Sequence, residues 1–218
     1  MNIYISIGSQ CTTPTLFDNL QVKKETLPFD WMFSTPQFVY AILNFLLVEQ
    51  KEISDIVDNH FFVCNRRVTS SDDNPAHFVD APNGFALINS KYNVVFPHDT
   101  ILNREKYIRR LERLKRLILD ENIFIYFVYV SLPNHSFFTV NEMEPIQELY
   151  EYIEKINETI GKIRTNYQII IFDVNKPSGI VPSDKLHIAY YELEMKNSWI
   201  ELMPELIDKC NNIIHKNT

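Results

Sequence analysis

Cys11, His98, Asp30 and Asp99 are the residues whose types and settings best suit them to carry a reaction. Cys11 stands between Ile3-Tyr4-Ile5-Ser6-Ile7-Gly8-Ser9-Gln10 and Thr12-Thr13-Pro14. The alternating, β-branched run predicts a first strand. Gly8 stops it. Thr13-Pro14 predicts a helix start, with Thr13 as N-cap and Pro14 at the first helical position. Cys11 is then in a short loop, after the carboxyl end of a strand and before a helix amino terminus. Ligands bind there in open parallel sheets. The partial positive charge of the helix start favours thiolate over thiol.

His98 follows Pro97, which fixes the backbone, and precedes Asp99. A carboxylate beside an imidazole orients it and stabilises its charged form. Asp99 is one candidate for that part, unless it caps the helix that begins near Arg104; Asp30 is the other. A carboxylate between Phe29 and Trp31 is either held by backbone amides or raised in pKa for a purpose. His135, in the loop after a buried strand, is the second-choice base. Gly8, Ser9, Gln10, Trp31 and His135 are the candidate substrate contacts. Cys64 and Cys210 read as core. His187 reads as a buried, hydrogen-bonded strand residue, and His60, His77 and His215 as surface or loop. Arg109, Arg110, Arg113 and Arg116 read as a solvated helix face with Glu105–Arg109 and Glu112–Arg116 pairs. Anion binding is their alternative use, as it is for Arg66 and Arg67.

The elements that must position these groups follow from the hydrophobic pattern. A short helix runs from Pro14 to about Leu20, then a polar, exposed stretch from Gln21 to Thr26. Leu27 to Phe33 reads as a buried loop that brings Asp30 beside the first strand. Ser34-x-x-Gln37 predicts a capped helix from Pro36 to about Gln50, apolar on nearly every side. His60 to Cys64 reads as a strand, Pro82-Asn83-Gly84 as a turn, and Phe85–Ile88 with Tyr92–Phe96 as a small hairpin. A helix from Arg104 buries Tyr107, Ile108, Leu111, Leu114 and Ile118. Asn122–Val130 reads as a strand buried on both faces. A long helix opened by Asn141-x-x-Glu144 and Pro145, strands at Gln168–Phe172 and Leu186–Tyr191, and a helix over Ser198–His215 complete the pattern. Pro204 kinks that helix or marks its true start. Strands alternating with helices predict a single α/β domain: a doubly wound, mostly parallel, Rossmann-like sheet with helices on both faces. An irregular insertion spans about 51–103.

The 218 residues suffice for one ordinary domain, and 45% hydrophobic content suffices for its core. A net charge of −7 argues against nucleic acid as a partner. Three widely spaced cysteines make neither a disulfide framework nor a zinc site. They predict a reducing, cytoplasmic setting. No metal-ligand spacing, membrane span or signal peptide is expected, and no cofactor.

The motifs Ser6-Ile7-Gly8-Ser9-Gln10-Cys11, Leu27-Pro28-Phe29-Asp30-Trp31 and Phe96-Pro97-His98-Asp99, with the arginine-rich helix after them, resemble the putative papain-like cysteine peptidase family of bacterial and large-DNA-virus proteins. The resemblance covers roughly the first half of the chain. It implies a papain-like α+β fold as the alternative architecture. It also implies a cysteine hydrolase with Cys11 as nucleophile, His98 as general base and Asp30 or Asp99 as orienting carboxylate, acting on a peptide, glycan or small-molecule substrate. The alternative function is a nucleotide- or sugar-nucleotide-binding enzyme of glycosyltransferase type. Gly8-Ser9 and the first helix would then hold the ligand, with Cys11 as a pocket wall.

Overall fold

The computed structural model describes residues 1–8, 11–62, 66–69, 85–89, 91–92, 94–96, 103–131, 146–173, 187–194, 196 and 199–216. Ser9, Gln10, Cys64, His77, Gly84, His98, Asp99 and His135 lie outside them, and so do the proposed start of the long helix at 141–145 and Ser198.

Four strands form a parallel sheet in the order β1 (Asn2–Ser6), β5 (Phe124–Ser131), β6 (Tyr167–Asp173), β7 (Ile188–Glu192). Ser6 pairs with Val128, Val128 with Ile170 and Ile170 with Ala189, which fixes one level of the register. β5 and β6 are central, and their near-continuous apolar runs are buried on both faces. Ile3, Ile5, Ile7, Ile125, Phe127, Ile169 and Ile171 meet one core. Residues of α2 (Pro36–Leu43), α4 (Arg104–Leu119) and α5 (Ile146–Gly161) share it. Tyr126, Val128, Val130, Ile170 and Phe172 meet the other, with α1 (Thr12–Asn19) and α6 (Trp199–Lys216). The α/β expectation with helices on both faces therefore holds. The four strands follow one another in chain order, so no reversal of strand order opens a crevice within the described sheet.

The region expected to be irregular has structure. β2 (Arg66–Thr69), β3 (Phe85–Asn89) and β4 (Val94–Phe96) form an antiparallel sheet. The expected hairpin is thus real and gains a third strand, which contains Arg66 and Arg67 instead of preceding them. The expected strand at His60 is absent. Its first residues end α3 (Ile53–Ile56), which runs into a π-helical turn, Val57–Phe61. Burial of Ile56, Val57 and Phe61 on one helical face outweighs their strand propensity. His60, expected on the surface, is 7% exposed; it stacks on Phe45 and bonds Tyr92 Oη through Nδ1 at 2.8 Å. α2 also continues as a π-helical turn, Asn44–Val48.

Several boundaries move by a cap. Thr35, not Ser34, caps α2, accepting from the Phe38 amide, with Pro36 at the first position. Asn103 holds the cap position of α4, accepting from the Lys106 amide. α6 is helical through Pro204 and does not begin there. Arg116 reaches Glu25 at 2.7 Å, in place of the expected Glu112, and Arg113 reaches the same carboxylate at 3.7 Å.

Candidate functional site

β1 delivers its carboxyl end to Gly8, whose φ of +131° needs a residue without a side chain. A Cβ there would lie 2.9 Å from Tyr129 Cε2 and 3.1 Å from Ser34 Oγ. Both neighbours are buried, so the loop after β1 is pressed against β5 and the residue before the α2 cap. Thr13, expected as N-cap, lies inside α1 and donates its hydroxyl to the Gly8 carbonyl at 2.8 Å. That bond frees the cap position for Cys11. No side chain caps α1 and no acidic residue lies in its first turn. The Thr12 and Ser34 hydroxyls are buried without a hydrogen-bond partner among the described residues.

Cys11 is half-buried, whereas Cys210 packs in the core as expected. The helix start does not leave the thiol acidic. Burial pushes it up to about 11, opposed by a backbone hydrogen bond and by the charge of Lys23. In the described surroundings the resting group is the thiol.

The Leu27–Phe33 loop is buried as expected. Leu27, Phe29 and Met32 pack with Ile3, Ile5 and Ile7. Asp30, 4% exposed, closes the turn twice: its Oδ2 accepts from the Leu27 amide at 3.0 Å, and its amide donates to Leu27 O at 3.2 Å. Burial raises its pKa despite that bond and the nearby charges of Lys23 and Arg110. The carboxylate is thus held by a backbone amide, and burial raises its pKa. Trp31 follows in the left-handed region at φ +63°, which turns its half-buried ring toward Lys23.

Lys23 is the residue that sequence reasoning missed. α1 ends in a Schellman turn, with Gln21 N bonded to Asp18 O and Val22 N to Phe17 O. Gln21 takes the left-handed position, φ +54°, usually filled by Gly. The chain doubles back along α1, so Lys23 is only 14% exposed in its side chain. Its ammonium lies 4.5 Å from the Trp31 ring centroid and 3.5 Å from Asp18 Oδ2. A polar string with no Gly gave no signal of that reversal. A second unpredicted feature lies on the same edge of the sheet. Asp173, fully buried at the end of β6, accepts from Tyr150 Oη at 2.5 Å and Tyr190 Oη at 3.2 Å, and its charge helps raise the pKa of Tyr129.

Gly8 and Cys11 follow the carboxyl end of β1, and Lys23, over the Trp31 ring, is near enough for its charge to act on both Cys11 and Asp30. β4 ends at Phe96, two residues before His98 in the chain. No group of three or more potential metal ligands occurs among the described residues. No helix among them is long and apolar enough to cross a membrane.

A family model described as "Putative papain-like cysteine peptidase (DUF1796)" matches residues 2–175, most of the chain. The chain belongs to that family. The match takes in the whole edge from Gly8 to Asp173, and so extends past the half of the chain whose motifs carry the resemblance. No curated protein and no solved structure matches the chain.

Proposed function

We propose that the chain is a cysteine-dependent hydrolase of peptidase or amidase type, with Cys11 as nucleophile. The observation that carries this reading is the position of Cys11: half-buried at the N-cap of α1, after the carboxyl end of β1, where no side-chain hydrogen bond caps the helix among the described residues. The Cys11 sulfur attacks a substrate carbonyl carbon, and the amides of the first α1 turn face the developing oxyanion. The C–N or C–O bond to the leaving group breaks, the leaving group takes a proton from the base, and water hydrolyses the thioester. The base is His98, as the family resemblance implies, with Asp30 or Asp99 orienting it.

A thiol held at about 11 by burial has little thiolate at neutral pH. The mechanism therefore demands that the base lower it. Iodoacetamide labelling of Cys11 against pH, followed by mass spectrometry, tests this. In the wild type the apparent pKa falls below the free-thiol value of about 8.5, and it rises in His98→Ala. An apparent pKa near that of the buried thiol, unchanged in His98→Ala, overturns the hydrolase reading.

The glycosyltransferase-like reading draws on the unpartnered Thr12 and Ser34 hydroxyls beside an uncapped helix start, a setting that suits phosphate. A rise in melting midpoint with nucleoside diphosphates, and equally in Cys11→Ala, favours it over the hydrolase.

A further inference from the structure

The Lys23 side chain is largely covered, and its ammonium is held against a ring with one long contact to a carboxylate among the described residues. Its side chain is 14% exposed, yet its only carboxylate contact among the described residues is Asp18 at 3.5 Å, long for a charged hydrogen bond, and Asp18 is itself 52% exposed in its side chain. An ammonium carries three donors, and a charge withdrawn from water costs free energy unless those donors are met. The Trp31 face at 4.5 Å supplies attraction but accepts no conventional hydrogen bond. The backbone is arranged around this ammonium at two unusual positions, Gln21 and Trp31, both non-glycine residues with positive φ. The first returns the chain along α1, and the second presents the ring. Lys23 also acts on both candidate site residues, lowering the pKa of Cys11 and of Asp30 against their burial. Arg110 is the other cation acting on Asp30.

We propose that Lys23 is a specificity residue: its ammonium, held on Trp31, selects substrates that carry a carboxylate or other anion next to the carbon that Cys11 attacks. This rests on Cys11 being the nucleophile. The substrate anion completes the donor set that Asp18 leaves open, and Trp31 keeps the ammonium from swinging out to solvent.

A pair of alkylating reagents tests the two ideas separately. Iodoacetate and iodoacetamide react with a thiolate in the same way: the C–S bond forms, the C–I bond breaks, iodide leaves, and the thiol proton passes to buffer. They differ in charge beside the reacting carbon. The ratio of their rates at one pH cancels the thiolate fraction and reports the local field. In the wild type the iodoacetate-to-iodoacetamide ratio at Cys11 exceeds that of a cysteine peptide in the same buffer. Lys23→Met lowers it by roughly three- to tenfold at low salt, the range expected for one charge near the reacting atom. Lys23→Arg retains it, and added salt erodes it.

A wild-type ratio no higher than the peptide's overturns the proposal, whatever the variants do. So does an unchanged ratio in Lys23→Met with a wild-type far-UV spectrum. If both reagents label Cys11 with an unchanged ratio, the nucleophile survives and only the specificity falls. If neither labels Cys11 at any pH below about 10, both fall.

Discussion

Gly8→Ala is the sharpest test of how the loop after β1 is built. Two separate costs are expected. The first is backbone strain, since φ of +131° is a conformation that residues with a Cβ rarely adopt; such strain costs about 1–3 kcal/mol. The second is steric, because the new methyl would lie 2.9 Å from Tyr129 Cε2 and 3.1 Å from Ser34 Oγ. Tyr129 is 7% exposed and cannot swing into solvent. Overpacking of that kind costs about 1–3 kcal/mol. Central values sum to roughly 4 kcal/mol, a large part of the 5–15 kcal/mol that holds a typical domain together. At about 2–4 °C per kcal/mol for a chain of this size, the melting midpoint falls by roughly 8–16 °C. Urea unfolding gives the free energy and a thermal melt checks it. Tyr129→Leu added to Gly8→Ala separates the two costs. Removing the ring edge returns the steric part, a favourable coupling of about 1–2 kcal/mol, and leaves the strain. A loss under about 1 kcal/mol in Gly8→Ala would refute the reasoning, since no single relaxation relieves both the dihedral and the contact.

Three further perturbations follow from groups whose surroundings are described. Asp30 has its pKa raised by burial, so its stabilising contribution is present below the ordinary value of about 3.9 and is lost as pH rises through the raised folded value. Asp30→Asn, which keeps an acceptor for the Leu27 amide, should therefore be at least as stable as wild type at pH 7 and show no advantage below about pH 4; a loss above about 1 kcal/mol at pH 7 by urea unfolding would contradict this. His60 is held down to about 4, first by burial and then by Lys91 and Lys51, so its contribution is present above the unfolded value of about 6.5 and is lost as pH falls through 4. The shift corresponds to a ceiling of about 3.4 kcal/mol, or about 2 after solvent screening; the stability gap between wild type and His60→Gln should narrow by that amount from pH 7 to pH 4, and a constant gap rules it out. Arg164, 4% exposed, donates to the carbonyls of Leu117 and Ile118 at 3.1 and 3.0 Å, and to those of Ile123 and Asn166. Leu117 O, Ile123 O and Asn166 O also accept from Asp120 N, Asn166 Nδ2 and Ile125 N, so Arg164→Met takes the one donor seen among the described residues from Ile118 O, at the negative end of α4. It should cost about 1–3 kcal/mol with faster amide exchange in the last turn of α4, and unchanged exchange would show that water replaces the guanidinium.

What was legible in the sequence was whatever burial alone decides. The apolar run Asn122–Val130 and the stripe Ile153, Ile156, Ile160 could meet only a core, and the strand and helix they predict are present. The buried loop around Asp30 was legible for the same reason, since Leu27, Phe29 and Met32 had nowhere else to go. What was not legible depended on one dihedral or one bond. Thr13 has the right type for a cap, but its hydroxyl finds Gly8 O, and the cap passes to Cys11. Gln21 has no chemical reason to take a glycine's place, yet it turns Lys23 from an exposed residue into a largely covered one beside Trp31. His60 sits in a string that fits strand or helix, and only contact with Phe45 and Tyr92 decides for the helix. Such choices are made by tertiary partners far along the chain, and no window of neighbouring residues contains them.

The family description joins a papain-like peptidase to a chain whose main sheet is parallel. The two are compatible at the level of parts. A papain-like site needs a cysteine at the start of a helix and a histidine from an antiparallel sheet. Cys11 caps α1, and β4 is the last strand of an antiparallel sheet that runs toward His98 in the chain. The described structure also ties the two halves together. Thr35 caps α2 and donates its hydroxyl to the Tyr92 carbonyl in the β3–β4 connection at 3.1 Å, while its neighbour Ser34 abuts Gly8. Tyr92, Phe38 and Phe61 then pack as one aromatic cluster under that link. Ser34-Thr35 therefore joins the loop after β1 to the β3–β4 connection. In the proposed hydrolase, the geometry of Cys11 relative to its base would depend on that joint. If the proposed pair operates, Thr35→Val should lower the alkylation rate of Cys11 at fixed pH without altering either reacting group, and an unchanged rate would mark Cys11 as a cysteine that is reactive on its own.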